Sequence, residues 1–154
     1  MAISTGVLTE GGANLIRDAM LNGTVAPQPA YFKFGEGGWQ TSGSTRVPRT
    51  PVATQTDLDA IQNPGLYPAD SLYTFTGTFG LGDLTAEDPG TLKCRCLLDF
   101  ADANDDGLGN DPEFYEIGVY AADDTLMGYC TFDRETKNAL KQLEHYVRFN
   151  LGGS

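Results

Sequence analysis

The strongest chemical pattern in this 154-residue sequence is Asp102-Ala103-Asn104-Asp105-Asp106-Gly107, followed by five residues and then Glu113. It fits the twelve-residue loop that wraps a calcium ion in oxygen ligands. Asp102, Asn104, Asp106 and Glu113 would supply side-chain oxygens, Leu108 a backbone carbonyl, and Gly107 the sharp turn. The surroundings point the other way. Such a loop is flanked by helices, whereas Leu97-Leu98-Asp99-Phe100 and Phe114 to Tyr120 alternate as strands do. Gly109 replaces the usual apolar residue, Pro112 is awkward near the end, and runs of Asp, Asn and Gly also form ordinary exposed turns. The expectation is a solvated connection between strands with no metal bound. The calcium set Asp102, Asn104, Asp106, Leu108 and Glu113 stands as the alternative.

Other reactive residue types lack company. His145 is the single histidine and lies on the apolar side of a strand pattern, where a hydrogen-bonded structural role suits it better than catalysis. A Ser-His-Asp or Cys-His mechanism would have to use it, and no serine sits in a nucleophile elbow. Cys94 and Cys96 share one face of a strand pattern and Cys130 stands apart. A lone Cys-x-Cys pair is short of the four ligands that structural zinc requires, so the cysteines read as packing residues. Gly35-Glu36-Gly37-Gly38 follows a strand but has neither the Lys-Ser/Thr of a phosphate loop nor dinucleotide-loop spacing, and reads as a turn. The sequence therefore predicts no catalytic residue and no cofactor, and hence a protein that is not an enzyme.

Charge narrows the partners. A formal charge of −11 disfavours nucleic acid and anionic membrane surfaces, and favours solubility, a basic surface on another protein, or bound cations. No run of about 18 apolar residues is present, so no membrane insertion is expected. An N-terminus without a basic, apolar leader and an odd number of cysteines suit a protein kept in the cytosol with reduced thiols.

These residues need a scaffold, and the pattern predicts one α+β domain over 1–154. An amphipathic helix is expected at about 8–22, with Thr9 as N-cap, an apolar stripe of Leu8, Ala13, Leu15, Ile16, Ala19 and Met20, and Asn22-Gly23 as its stop. Gly11 and Gly12 weaken its first turn. After a short strand at Tyr31–Phe34, the segment at about 39–70 is rich in Pro, Thr, Ser, Gln and Asn and reads as a long Pro-rich loop, with one or two helical turns near Thr56–Ile61. The remainder, about 71–151, is strand-rich: Leu72–Phe79, Thr91–Phe100, a hairpin of Glu116–Tyr120 and Leu126–Phe132 turning at Asp123-Asp124, and Leu143–Leu151. The helix is expected to pack on a mainly antiparallel sheet, burying Leu15, Ile16, Ile117, Val119, Leu126, Val147 and Phe149 together.

The stretch Glu116-Ile117-Gly118-Val119-Tyr120-Ala121-Ala122-Asp123-Asp124-Thr125-Leu126-Met127 resembles the Glu-Leu-Gly-Leu-Tyr, Asp, Gly, Thr-Leu segment of phage tail-collar fibre proteins, near their N-terminal baseplate-attachment region. Two further pieces fall in the same order. Leu8 to Ile16 is similar to that family's opening Thr-x-x-Gly-x-x-x-Leu helix, and Phe34-Gly35-Glu36-Gly37-Gly38 to its Gly-Asp-Gly-like turn. The resemblance spans residues 8 to 132 loosely and is most specific at 116–127. It implies a structural part of a virion tail, assembled in the host cytoplasm, that links fibre to baseplate through other tail proteins and forms a homo-oligomer, a trimer. It implies no catalysis and no cofactor. Members of the family continue into a long shaft and tip, and this sequence ends at Ser154, which points to a self-contained adaptor or a fibre of separate chains. A rival of another class is a small carbohydrate- or receptor-binding module using the calcium set.

Overall fold

The computed structural model describes residues 2–87 and 89–151, with the backbone alone for 2–5 and Phe149. The chain runs β1 (Ala2–Thr5), β2 (Val7–Leu8), α1 (Glu10–Asn22), β3 (Pro29–Gly35), β4 (Trp39–Ser42), β5 (Thr45–Pro48), α2 (Asp59–Gln62), β6 (Thr74–Thr78), β7 (Leu84–Ala86), β8 (Thr91–Leu98), β9 (Glu113–Ala121), β10 (Leu126–Thr136) and β11 (Leu143–Asn150). Two single-turn 3₁₀ helices, Pro64–Leu66 and Ala69–Ser71, lie between α2 and β6. The result is mixed and mostly sheet, broadly the α+β class expected.

Two sheets carry the architecture, in the strand orders β1-β11-β8-β7 and β2-β10-β9-β3-β6, with β4 and β5 as a separate hairpin. Among the described residues every pairing is antiparallel except β1 with β11. Register follows from alternation, because a one-residue slip would turn each apolar face to solvent. Thus Val147, His145 and Leu143 of β11 lie opposite Cys94, Cys96 and Leu98 of β8. In the other sheet Phe32 and Phe34 of β3 lie opposite Val119 and Ile117 of β9. These side chains meet in one core with Phe114, Cys130 and Phe132. All three cysteines are buried within it, as packing residues are. Burial raises the Cys94 thiol to about 12 and moves Cys96 the same way, so neither is a ready thiolate.

The β9–β10 hairpin turns at Asp123-Asp124 as the sequence suggests. Asp124 takes a left-handed φ of 70°, and Asp123 Oδ1 accepts from the Thr125 amide at 3.0 Å. The N-terminal helix is close to its predicted bounds. Thr9 caps it by accepting from the Gly12 amide at 3.0 Å, and Gly23 ends it at φ 64°.

The helix nonetheless packs differently from the reading of its stripe. Gly12 and Ala19 are its buried positions, Leu15 and Ile16 are half-buried, and Met20 and Leu21 are exposed. Contact is made at the first turn. The Thr9 hydroxyl donates to the Leu126 carbonyl, and the Thr9 amide donates to the Met127 carbonyl at 2.9 Å. Gly12 therefore marks a close approach. A Cβ there would stand 2.7 Å from the Met127 carbonyl oxygen and 2.9 Å from its Cα. Gly12→Ala should thus destabilise the protein by about 2 kcal/mol, although helix propensity alone would favour alanine by about 1 kcal/mol. Chemical denaturation checks the sign.

Two further expectations need correction. The segment at 39–70 is not one long loop, and the helical turn expected near Thr56–Ile61 is present as α2. It holds the β4–β5 hairpin, α2 and two 3₁₀ turns, and Leu58, Asp59, Ala60 and Tyr67 within it are buried. The predicted common core is also divided. Ile117, Val119 and Val147 lie between the sheets, whereas Leu126 packs on the far side of its own sheet with Leu58, Tyr120 and Tyr129. The Phe149 side chain lies outside what is described. The folded 49–72 segment explains the division, because it covers the outer face of the β9–β10 hairpin that alternation alone would leave to water.

Candidate functional site

Glu116 stands in the middle of β9 and is fully buried under that cover. Its Oε1 accepts from the Asp59 amide at 2.6 Å and the Tyr129 hydroxyl at 2.7 Å, and its Oε2 from the Gly37 amide at 3.0 Å and the Ala60 amide at 3.1 Å. One side chain thus joins the turn after β3, the start of α2 and strand β10. Burial pushes its carboxyl up to about 7, against the pull of those donors. Gly37 is confined by the same contact, since a Cβ there would sit 2.5 Å from the Ala60 nitrogen and 2.7 Å from Glu116 Oε2.

Asp59 extends the network. It accepts from Arg49 and Tyr67, and from Asn63 Nδ2 at 2.7 Å. Burial would raise the Asp59 carboxyl, but the Tyr67 and Asn63 donors and the Arg49 charge outweigh it and hold it below the usual carboxylate range. Tyr67 also accepts from the Gly38 amide at 2.9 Å and packs with Trp39 and Tyr115. Trp39 and Tyr67 are therefore core residues. Tyr73 is half-buried against Phe114.

The calcium-loop residues are distributed between two places. Asp102 Oδ2 accepts from the Asp99 amide at 2.9 Å, and Asn104 Oδ1 accepts from Lys137 Nζ at 2.7 Å. The Lys137 ammonium also donates to the Asn138 carbonyl at 2.9 Å. Burial lowers the Lys137 pKa, while Asp102 and Asp99 oppose that shift, so this half of the loop already holds a cation belonging to the chain. Asp106 spends Oδ1 on the Leu108 and Asn110 amides at 2.8 and 3.2 Å, and Leu108 itself is exposed. Asp106 and Glu113 border a polar pocket of about 290 Å³ shared with Glu36, Arg46, Asp70 and Asp111. Among the described residues no group of three or more His, Cys, Asp or Glu side chains is arranged to hold a metal ion. The melting temperature should accordingly be the same in chelator and in millimolar calcium. A rise of several degrees abolished by Asp102→Ala would overturn this.

His145 lies where the pattern put it, 1% exposed, its ring tilted against that of Phe132 with centroids 4.1 Å apart, and 3.4 Å from Glu135. Glu36 and Glu116 were the residues that sequence reading passed over as site members. Their signal was a carboxylate set within apolar or glycine-rich sequence, Phe34-Gly35-Glu36-Gly37 and Tyr115-Glu116-Ile117. No protein-family model matches the chain, and no curated protein or solved structure is significantly similar to it. Among the described residues no helix is long and apolar enough to cross a membrane.

Proposed function

We infer that this chain is a non-enzymatic structural part of a phage tail or tail-like injection machine, joining a tail fibre to the baseplate as a homo-oligomer, a trimer. One observation carries the reading. The three pieces of sequence that resemble tail-collar fibre proteins are distant in the chain but bonded to one another in the fold. Thr9, from the helix piece, bonds the carbonyls of Leu126 and Met127 at the end of the hairpin piece. Gly37, from the turn piece, donates to Glu116 at the start of that same hairpin piece. Motif residues that form one bonded unit are what a shared scaffold would require, whereas chance matches have no reason to meet.

The arrangement also suits docking better than catalysis. Its buried carboxylates hold backbone amides, and its histidine is packed in the core. The carbohydrate-binding rival needs the oxygens of Asp102, Asn104, Asp106 and Glu113 at one point, and the fold sends them to two. The test is to locate the chain in purified tail particles by electron microscopy with a specific antibody fragment, and to count copies by quantitative mass spectrometry. Three copies at each fibre root are expected. A single copy per particle, or absence from the particle, would overturn the reading.

A further inference from the structure

Helix α1 carries an apolar side that its own sheet does not cover. Its buried positions, Gly12 and Ala19, are seven residues apart and so lie on one line along the helix. Ala13, Ile16, Met20 and Leu21 form a second stripe, at spacings of three to five residues, centred about a quarter turn round from that line. Ile16 is half-buried, but Met20 is 80% exposed and Leu21 75%. Val25, just past the helix end, is 90% exposed. Beside the stripe runs a groove of about 380 Å³, walled by Leu8, Ala13, Ile16, Met20, Leu21 and, from just beyond β11, Leu151. Apolar side chains scattered singly over a surface need no explanation, whereas a ridge and a groove built together form the kind of patch that marks a contact surface.

Charge says what fits there. Residues 1–35 hold two acidic side chains, Glu10 and Asp18, and two basic ones, Arg17 and Lys33, so the whole formal charge of −11 lies in residues 36–154. A basic partner protein would be steered to that acidic part and not to a neutral stripe. A second copy of this chain meets the opposite condition. Over the rest of the surface two copies bring net negative charge against net negative charge, and at α1 they do not. Arg17 and Asp18 are adjacent on the helix, both more than half exposed, and paired with each other at 2.8 Å. An exposed pair of this kind contributes little within one copy, so replacing it by reciprocal pairs across copies is nearly neutral. Ridge and groove share one face, so a closed assembly can seat Met20 and Leu21 of each copy in the groove of another.

We propose that the exposed side of α1, with the groove beside it, is the contact surface between copies of this chain, and that association buries Met20, Leu21 and Val25. The number three rests on the tail function inferred above; the face and its occupant do not.

The test is sedimentation equilibrium of the full chain over a wide concentration range, at about 0.05 M and about 0.5 M salt. The mass should rise with concentration to a small multiple of 16.5 kDa. Higher salt should tighten association a few-fold, because it screens the acidic surfaces and leaves apolar burial intact. Met20→Glu combined with Leu21→Glu should weaken association at least about hundredfold without changing the thermal melt of the monomer. Leu140→Glu, at an 89% exposed leucine remote in sequence from α1, should leave association unchanged. Should the double variant melt below wild type, Val25→Glu, outside the helix, decides. A chain that is monomeric at every concentration, association that high salt weakens, association that survives the folded α1 variants, or equal loss in Leu140→Glu would each overturn the proposal. A closed dimer lost in the α1 variants would support the face and remove the trimer. Association through α1 by a chain absent from tail particles would leave the face standing and remove the tail function. Three copies at each fibre root that persist with Met20→Glu and Leu21→Glu would do the reverse.

Discussion

Glu116→Ala is expected to lower the melting temperature by about 10 °C, corresponding to about 4 kcal/mol for a chain of this size. The effect comes from the groups left behind. The amides of Gly37, Asp59 and Ala60 and the hydroxyl of Tyr129 all donate to this one carboxylate. Each buried donor without an acceptor costs about 1–3 kcal/mol, offset in part because the variant no longer buries a carboxylate. Glu116→Gln should fall between wild type and alanine, since its amide nitrogen would face donors where an oxygen now accepts. The loss should also be local. Hydrogen exchange at Asp59 and Ala60 should accelerate more than exchange at Cys94 or Val147, because only the former pair loses its acceptor. A thermal melt of Glu116→Ala that overlays wild type would show that the 49–72 cover is held by other contacts.

The same carboxyl makes stability depend on pH in an unusual direction. Its value is about 7 in the folded chain against 4.5 as the ordinary reference. Between those values the native state holds a proton that the unfolded state has released. Stability from this group is therefore fully present below 4.5 and is lost as pH rises through 7. Between about pH 5 and pH 8 the loss from Glu116 is about 2–3 kcal/mol. Glu36, also raised to about 7 by burial, acts in the same direction. Asp59 is held below the usual carboxylate range and opposes the trend only at more acidic pH, where its partners lose a charge to bind. Urea denaturation across the range should thus give a maximum near about pH 5, with Glu116→Gln flattening the slope. Stability that climbs steadily from pH 5 to pH 8 would contradict the assignment of Glu116 as a buried, proton-retaining group.

Local chemistry alone determined a good part of this protein. The Thr9 cap, the Gly23 stop, the Asp123-Asp124 turn and the strands expected at 91–100, 116–120 and 143–151 depend on short-range sterics and on residue patterning, both of which are written in adjacent residues. The internal placing of His145 and Cys94 follows from the same alternation. Tertiary structure decided the rest. Composition made most of 39–70 look like a loop because its hairpin and 3₁₀ turns are too short to show a period, and its order comes in part from contacts with Glu116, far away in the chain. Gly12 looked like a weak helix start, because the Met127 backbone that forbids a side chain there lies more than a hundred residues later. The acidic loop looked like one ligand set because spacing carries no direction. In three dimensions Lys137 claims Asn104 on one side, while Glu36, arriving from β3, draws Asp106 and Glu113 into a different pocket.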